Sequence, residues 1–298
     1  MYALVLPFLL VLLVLGSLIC FCAKKWKIGF ILLFISVLLN QTARVFAYHS
    51  FRRESKGEFK VFSFNVNSPG DSYDQSEQQV LSLIRDEDPD FVFLAELGMK
   101  GNSLHNSLKQ LFPYTNAPNG IRDDQLEPIY SKWPIDTIEV LSLPHYYHSI
   151  YRVQINNGID SLCVYCCHLT SNLVLQSKNK LQSIREGYKR RAIEVDSIKE
   201  QLGREQFPVI VMGDFNDVSG SYTLRTIEKA GMRDAWWEKG FGYGTTYRDH
   251  GLRLRLDYIL YEDTSLTLTE VKTIKDNLSD HNAITATFCF KGTKGYSN

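Results

Sequence analysis

An uncharged apolar run near the start constrains the fold of this chain more than any other feature. It extends from Tyr2 to Cys22 and reads YALVLPFLLVLLVLGSLICFC. A helix needs about 20 apolar residues to cross the hydrocarbon core of a bilayer. The run is longer than the core of a usual signal peptide, and no small-residue cleavage site follows it. We therefore interpret it as a retained membrane span.

A second apolar run follows the basic segment AKKWK. It is purely apolar from Ile28 to Leu39 and continues less purely to Tyr48. Two interpretations stay open for this run. It completes a transmembrane hairpin, which we favour, or it lies at the membrane interface as an amphipathic segment.

Basic residues around the two runs bear on the orientation in the membrane, because cytoplasmic loops carry an excess of Lys and Arg. Three lysines between the runs favour a cytoplasmic loop: Lys24, Lys25 and Lys27. Four basic residues after the second run favour the opposite: Arg52, Arg53, Lys56 and Lys60. The sidedness stays open, and we expect the part of the chain after the anchor to be extracytoplasmic.

The rest of the chain is long enough for one large domain. We place a membrane anchor at residues 1–49, a polar linker at 50–58 and a globular domain at 59–298. Residues 57–298 hold 26 basic and 32 acidic side chains, a net charge of −6. An acidic domain attracts a polyanion such as duplex DNA poorly. The charge therefore disfavours tight binding of nucleic acid.

Apolar strands and helical segments alternate after the linker. The predicted strands are 60–66, 90–95, 127–133, 149–155, 161–168, 207–212, 254–261, 266–272 and 283–290. The predicted helices are 76–86, capped by Ser76, 102–111, 180–202, with Leu181 on its apolar face, and 222–230. Several strands are apolar on both faces. The pattern predicts an α/β fold of two packed mixed sheets flanked by helices.

The six cysteines predict neither a disulfide framework nor a zinc site. Two of them lie in the first apolar run, three in the predicted strand 161–168 and one in the last strand. No pair of Cys or His spacings matches a zinc site. We expect them to be reduced and mostly buried.

Polar side chains follow the ends of several predicted strands or precede the last one. They are Asn65, Glu96, His168, Asp214, Asn216, Asp280 and His281. Carboxylate and amide oxygens are the ligands that Mg²⁺ and Mn²⁺ prefer. Imidazoles near such an ion suit phosphoryl chemistry, in which water is activated and negative charge is offset.

Each of these residues taken alone has an ordinary structural explanation. A single Asn or Glu at a strand end is usually a cap, and Asp214-Phe215-Asn216 also fits an Asx turn. Strand alternation would place Asp214 and Asn216 on one face. Asp257 lies within the buried-looking segment RLDYIL and needs a partner. Arg253 or Arg255 would neutralise it, whereas a catalytic histidine would make it functional.

In combination and in order, these segments resemble the endonuclease/exonuclease/phosphatase superfamily of deoxyribonuclease I type. The matching segments, from about Phe59 to Phe290, are FSFNVN, DFVFLAELG, IYSKWPI, CCHLTSN, VIVMGDFNDVSGSY, RLDYIL and SDHNAI. The resemblance implies a deoxyribonuclease I-like four-layer sandwich. It also implies hydrolysis of a phosphoester with Mg²⁺ as cofactor, for which Mn²⁺ is a possible substitute.

The resemblance further implies roles for the polar residues. Glu96 resembles the principal metal ligand of the family, with Asn65 and Asp280 nearby. Asp214 resembles the acid that orients or deprotonates the attacking water, and Asn216 the residue that holds the phosphate or that water.

The two histidines also have counterparts in the family. His281 resembles the essential histidine, oriented by Asp257, and His168 the second histidine, which contacts the phosphate. Whether Asp214 or the histidine pair is the general base stays open.

Two departures from the family pattern follow. Ala95 stands where the family usually has Gln before the metal-binding Glu. The acid that pairs with the second histidine has no clear match, and we choose neither Asp124 nor Glu127.

Three functions are consistent with these residues. The anchor and the acidic domain favour hydrolysis of a lipid or small-molecule phosphate, whereas the many nucleases of the family favour nucleic acid as substrate. A catalytically silent, membrane-bound binding module is disfavoured because every expected polar position is occupied. We predict that the site residues converge at one end of the sandwich. Residues 240–249 (GFGYGTTYRD) form either a substrate loop or a plain glycine-rich turn.

Overall fold

The computed structural model describes residues 2–49, 57–67, 73–123, 126–141, 150–172, 179–249, 251–275 and 277–291. Most of the predicted linker therefore lies outside the described residues, and so does Asp124. The division into anchor, linker and globular domain stays a prediction.

The helices lie partly in the apolar hairpin and partly around the sheets. They are α1 Tyr2–Cys22, α2 Trp26–Ala43, α3 Tyr73–Glu87, α4 Asn102–Leu111, α5 Lys180–Leu202, α6 Tyr222–Lys229 and α7 Ala235–Lys239, with a 3₁₀ turn at Met99–Gly101. The strands are β1 Ala47–Tyr48, β2 Phe59–Asn65, β3 Phe91–Ala95, β4 Tyr114–Thr115, β5 Ile129–Ser131, β6 Ile135–Leu141, β7 Ile150–Asn156, β8 Ser161–His168, β9 Val209–Asp214, β10 Met232–Asp234, β11 Phe241–Gly242, β12 Tyr247–Asp249, β13 Leu252–Leu254, β14 Asp257–Glu262, β15 Leu266–Ile274 and β16 Ala283–Phe290.

Two six-stranded mixed sheets pack face to face. Their strand orders are β10-β14-β9-β8-β7-β6 and β15-β16-β2-β3-β5-β4. Each contains one parallel pair, β8–β9 in the first and β2–β3 in the second. Aliphatic and aromatic side chains fill the space between them, among them Val61, Phe93, Val164, Met212 and Ile284. Apolar burial between these faces is the main stabilising contribution.

Helices cover both outer faces of the sandwich. Val80 and Ile84 of α3 and Leu104 of α4 pack on the sheet that contains β2 and β3. Val195 of α5 and Ile227 of α6 pack on the other sheet. The four layers are helices, sheet, sheet and helices, and the predicted fold class is confirmed.

Two details of the predicted helices are wrong. Helix α3 begins at Tyr73, so Ser76 lies inside it and is not its cap. Leu181 is 67% exposed, because α5 reaches the sheet only from Gly187 onward.

The described cysteines are free, as expected, and those of β8 are buried.

The two apolar helices pack against each other as a hairpin. Ser17 Oγ donates to the Gly29 carbonyl at 2.8 Å. A Cβ at Gly29 would lie 2.5 Å from the Phe21 ring, so the close approach of the helices requires glycine there. Both helices are long and apolar enough to cross a membrane, with mean hydropathies of 2.9 and 1.5. Their insertion in a bilayer stays a prediction.

An ion pair ties the chain after α5 to strand β7. Arg152 donates to the two carboxylate oxygens of Glu205 at 2.8 and 3.0 Å. The Glu205 side chain is 4% exposed. Burial acts to raise the pKa of Glu205, but hydrogen bonds, first that from Arg152, outweigh this and lower it to about 2.

We expect Glu205→Gln to lower the free energy of unfolding at pH 7 by about 2 kcal/mol, because Arg152 loses its buried counter-ion and keeps only the exposed Glu139. Folding lowers this pKa, so the stabilisation is complete above the unfolded value of about 4.3 and is lost as the pH falls further. The difference in free energy of unfolding between variant and wild type, measured by chemical denaturation, should therefore become smaller below about pH 4. Glu139→Gln is the control, since Glu139 contacts the same arginine but is 56% exposed. A difference as large at pH 2 as at pH 7 would contradict this interpretation.

Candidate active site

Asp214 ends strand β9 in the interior of its sheet. Its register partner on β8 is His168, and its partner on β14 is Asp257. Three residues distant in sequence are thus placed side by side by strand pairing alone. Gly213 precedes them with φ +134°, and a Cβ there would lie 1.9 Å from the Cys167 carbonyl oxygen. Only glycine fits this position without displacing β8.

Asn216 follows β9 in a turn. Its φ is +49°, a left-handed conformation that costs a non-glycine residue about 1–2 kcal/mol. The Asn216 backbone N–H donates to Asp214 Oδ1 at 2.8 Å, and its Nδ2 donates to the Leu169 carbonyl at 2.9 Å. The first bond forms an Asx turn, and the second ties the turn to the residue after β8. Strand alternation is the wrong reason for their proximity, because β9 ends at Asp214 and the turn brings Asn216 back.

Each of the two histidines lies between a buried carboxylate and Asp214. His281 Nδ1 is 2.8 Å from Asp257 Oδ2, and its Nε2 is 3.8 Å from Asp214 Oδ2. His168 Nδ1 hydrogen-bonds Glu127 Oε1, and its Nε2 is 4.0 Å from Asp214 Oδ2. A carboxylate on Nδ1 fixes the orientation of an imidazole. Both rings therefore direct Nε2 toward the same space.

Charge outweighs burial in setting the protonation of these groups. Burial acts to lower the pKa of His281, but Asp257 and Asp214 raise it to about 10. Burial likewise opposes the effect of Glu127 and Asp214 on His168, whose pKa rises to about 9. Burial and the charge of Asp257 raise the pKa of Asp214 to about 6, against the lowering effect of both histidines. At neutral pH both imidazoles carry a proton and Asp214 is largely ionised.

Glu127 is the acidic partner of His168 that the sequence left undecided. It is 3% exposed and is separated from His168 by 41 positions. Burial raises the pKa of its carboxyl, and the charge of His168 lowers it in part. Its only sequence signal is an acidic residue two positions before a buried strand, which by itself names no partner.

The buried acid Asp257 contacts a histidine and not an arginine. Arg255 donates instead to the two carboxylate oxygens of Asp234, at 3.1 and 2.6 Å. Arg253 is exposed on β13. Of the two kinds of partner that the sequence left open, the structure shows His281.

Residues of the second sheet face Asp214 from across the sandwich. Asn65 ends β2 and Glu96 follows β3, and these two strands are parallel neighbours whose ends meet. Asn65 Nδ2 donates to Glu96 Oε1 at 2.9 Å and to Asp214 Oδ2 at 3.2 Å. Glu96 Oε1 also lies 3.4 Å from His168 Nε2. Glu96 has φ +59°, a second strained residue at this site.

Asp280 lies in the loop before β16. Ser279 Oγ donates to Asp280 Oδ1 at 3.2 Å and to the Asn65 carbonyl at 2.8 Å, which holds this loop against β2. Burial raises the pKa of Asp280, and the charge of Glu96 acts in the same direction against His281 and Ser279. Two carboxylates that repel each other this way fit a divalent cation, which would neutralise both.

The donor set is suited to a hard cation. Glu96, Asp214 and Asp280 offer carboxylate oxygens, as Mg²⁺ and Mn²⁺ prefer. The Asn65 amide presents its NH₂ group to Glu96, and its oxygen accepts from the Asn67 N–H at 3.0 Å. A second candidate position for a cation is formed by Asp214, Asp257 and His281, whose ligand atoms lie within 4.8 Å of one another.

The eight site residues predicted from the sequence belong to this one cluster at one end of the sandwich. The profile of the endonuclease/exonuclease/phosphatase family matches residues 62–281 of the chain. The chain belongs to this family. Its members are generally hydrolases that act on phosphoesters, and they typically depend on a divalent metal. A comparison with curated protein sequences gives no significant match.

Solved structures of family members have the same fold. Truncated Caenorhabditis elegans TDP2 has a TM-score of 0.59 at 19% identity, over 77% of this chain and 97% of that chain. D. rerio TDP2, solved with a single-strand DNA product, has a TM-score of 0.59 at 19% identity, over 77% and 98%. The human Nocturnin catalytic domain, solved with a bound sulfate anion, has a TM-score of 0.60 at 14% identity, over 80% and 96%. At these identities the likeness shows the fold alone.

Proposed function

We propose that this family member is a membrane-anchored, Mg²⁺-dependent hydrolase that cleaves a phosphoester by direct attack of water on phosphorus. One observation carries the proposal. Asp214 lies between two histidines, each oriented by a buried carboxylate, and accepts from the Asn65 amide, which also donates to the Glu96 carboxylate. This arrangement combines a proton acceptor, two cationic donors and carboxylates that could hold a cation within one cluster.

Glu96 and Asp280 would hold the cation, with Asn65 keeping Glu96 and Asp214 apart. The bound ion would polarise a phosphate oxygen and stabilise the leaving oxygen. We assign it to Glu96 because that side chain is 35% exposed, whereas Asp214 and Asp257 are nearly inaccessible. A hydrated Mg²⁺ ion keeps several of its waters and is better accommodated at the more open position.

Asp214 would accept the proton of the attacking water. The two histidines already carry a proton at neutral pH, whereas the pKa of Asp214, about 6, leaves it ionised there. A pKa near the working pH suits a general base. The Asn216 side chain lies beside Asp214 at 3.3 Å and would orient the same water or the phosphate.

His281 and His168 would donate from Nε2 to the phosphate oxygens. Their Nδ1 atoms contact Asp257 and Glu127, so each ring presents its Nε2 toward Asp214. As negative charge develops on these oxygens, two fixed cationic donors stabilise the transition state.

A lipid or small-molecule phosphate is the substrate class that we favour. The net charge of −6 over residues 57–298 disfavours a polyanion. The apolar hairpin contacts Val218 and Leu256, which lie two residues and one residue from Asn216 and Asp257. A substrate held in the bilayer would reach a site placed there. Nucleic acid is the second candidate, since one structural relative was solved with a DNA product.

The hairpin geometry favours an extracytoplasmic site. Ala3 lies near the start of α1 and Ala43 at the end of α2. Both pack beside the loop that carries Asn216. The lysines of the turn lie at the opposite end of the hairpin. Because such basic turns stay in the cytoplasm, the catalytic domain would face the other side.

Hydrolysis by the detergent-solubilised full chain over a phosphoester panel tests the proposed function. The panel contains plasmid DNA, RNA, sphingomyelin, phosphoinositides and a chromogenic diester, each with Mg²⁺, with EDTA and with His281→Ala. We expect turnover of one class in Mg²⁺, its loss in EDTA and a decrease of about 10³-fold in the variant, because one cationic donor is removed. Absence of turnover from folded protein that binds Mg²⁺ would favour the binding-module alternative. Equal turnover in EDTA would contradict metal dependence.

A further inference from the structure

The end of the hairpin packs against the domain that contains the sandwich. Ala43, Val45 and Ala47 are at most 3% exposed. Asn40 closes the turn after α2, because its side chain exchanges two hydrogen bonds with the Phe46 backbone, at 2.8 and 2.9 Å. Strand β1 then pairs directly with β11. The chain therefore passes from the hairpin toward the catalytic domain through buried residues as far as Ala47.

The hairpin touches the loop that carries Asn216. Gly220, near the end of that loop, has φ +77°, and a Cβ there would lie 3.3 Å from Ala43 Cβ. Arg44 forms an ion pair with Glu228 of α6 at 2.9 Å, next to this contact. Val218 of the same loop packs with Ala3 at the start of α1. The glycine in the VSG segment thus serves the contact with the hairpin.

Tyr247 connects this contact to a catalytic residue. It packs on the cluster formed by Ala3, Val218 and Leu256. Its ring meets the His281 ring edge to face, with centroids 5.1 Å apart. Tyr247 also forms a backbone bridge with His281.

The residues on both sides of Tyr247 hold the same catalytic groups. Thr246 Oγ1 accepts from the Asp257 N–H at 3.0 Å, and the Thr246 carbonyl accepts from the Asn282 N–H. The Arg248 N–H donates to the Asp280 carbonyl at 2.7 Å. Residues 246–248 therefore link Asp257 to the Asp280–Asn282 segment through hydrogen bonds to both.

We propose that Tyr247 is a positioning residue for His281. The hairpin supports Tyr247 through the cluster of Ala3, Val218 and Leu256. The apolar anchor is then a structural part of the catalytic unit as well as a membrane attachment. The inference rests on the proposed function, since it takes His281 as a catalytic residue. The hydroxyl contributes little to this role, because its contact with Asp249 is 3.4 Å long. The aromatic ring is the part that matters.

Steady-state kinetics of the detergent-solubilised full chain test the positioning role, with Mg²⁺ and the substrate that the panel identifies. We expect Tyr247→Ala to lower kcat by about 10–100-fold, because small displacements of a catalytic group are costly. KM should change by less than about twofold, since substrate binding is not altered. Tyr247→Phe keeps the ring and should retain wild-type kcat. Unchanged kcat in folded Tyr247→Ala would overturn the proposal.

A pair of hairpin variants tests whether the hairpin supports the positions of Tyr247 and His281. Ala43→Leu enlarges the side chain that faces Gly220 and should lower kcat in the same direction as Tyr247→Ala. Ala23→Leu makes the same change at the exposed far end of the hairpin and should leave kcat as in the wild type. Equal kcat in both variants would show that the hairpin does not support the site.

An NMR readout separates this inference from the proposed function. The full chain is labelled with ¹⁵N-histidine, and the chemical shifts of the His281 ring nitrogens are compared with the wild type. They should change in Tyr247→Ala and Ala43→Leu. They should not change in Tyr247→Phe and Ala23→Leu. Such shifts without turnover of any phosphoester would sustain the positioning role and refute the proposed function. Unmoved His281 signals in Tyr247→Ala would refute the positioning role whether or not the protein is an enzyme.

Discussion

Asp214→Asn is expected to lower kcat by about 10³–10⁴-fold while raising the stability of the metal-free protein. The substitution keeps the shape of the side chain but removes the negative charge that both histidine Nε2 atoms face, at 3.8 and 4.0 Å. The variant loses the proton acceptor that we assign to the reaction, and both histidines lose a negative charge that raises their pKa. Initial rates at saturating Mg²⁺ measure the loss.

The sign of the stability change follows from the pKa of Asp214. Burial and Asp257 raise it to about 6, above the unfolded value of about 3.9. A group whose pKa rises on folding binds its proton more tightly in the folded state, so stability falls as the pH increases through this interval. The neutral amide avoids that cost, and we expect a gain of about 1–3 kcal/mol at pH 7 in EDTA.

Thermal unfolding of both proteins in EDTA at pH 4 and pH 7 measures this gain. The difference in Tm should be larger at pH 7, where the wild-type carboxylate is ionised. Asp136→Asn, at an exposed position of β6, is the control and should change neither rate nor Tm. A variant as active as the wild type would remove Asp214 from the reaction, and a lower Tm at pH 7 would contradict its electrostatic cost.

Glu96→Gln is expected to produce the second large effect, through the metal. A neutral amide at this position is a poorer ligand for Mg²⁺ than a carboxylate. We expect activity at 1 mM Mg²⁺ to fall by about 10³-fold and the Mg²⁺ concentration for half-maximal activity to rise by at least about 100-fold. Titration of activity with Mg²⁺, and separately with Mn²⁺, measures both.

Two further variants complete this experiment. Glu186→Gln, at an exposed carboxylate on α5 that pairs with Lys189, should titrate like the wild type. Asp257→Asn should lower kcat with little change in the Mg²⁺ requirement, because Asp257 orients His281. If Asp257→Asn shifts the Mg²⁺ requirement and Glu96→Gln does not, the cation lies at the position formed by Asp214, Asp257 and His281.

Elements with a long apolar pattern could be predicted from the sequence. Strands β8 and β16 and helices α4 and α5 begin and end at the predicted residues. Strands β1, β4 and β10–β13 contain two or three residues each, too few to show an alternation. The predicted strand 254–261 is divided between β13 and β14. Arg255 lies in the break, where it turns inward to Asp234.

The sequence by itself determined the fold class and the kinds of side chain present at the candidate site. Runs without charge define the two apolar helices, buried strands define the sandwich, and the polar residues at strand ends are of the kinds that bind Mg²⁺ and phosphate. These properties are local, since each depends on a residue and its close neighbours along the chain. They were sufficient to predict the fold class and to name the candidate site residues.

Only the tertiary structure decided the partner of His168. Glu127 contacts it across a sequence separation that carries no spacing signal, whereas the family resemblance already implies the contact of Asp257 with His281. The contact of the hairpin with the Asn216 loop and with Tyr247 is of the same kind. Strand register and packing bring such groups together, and both are set by the whole core.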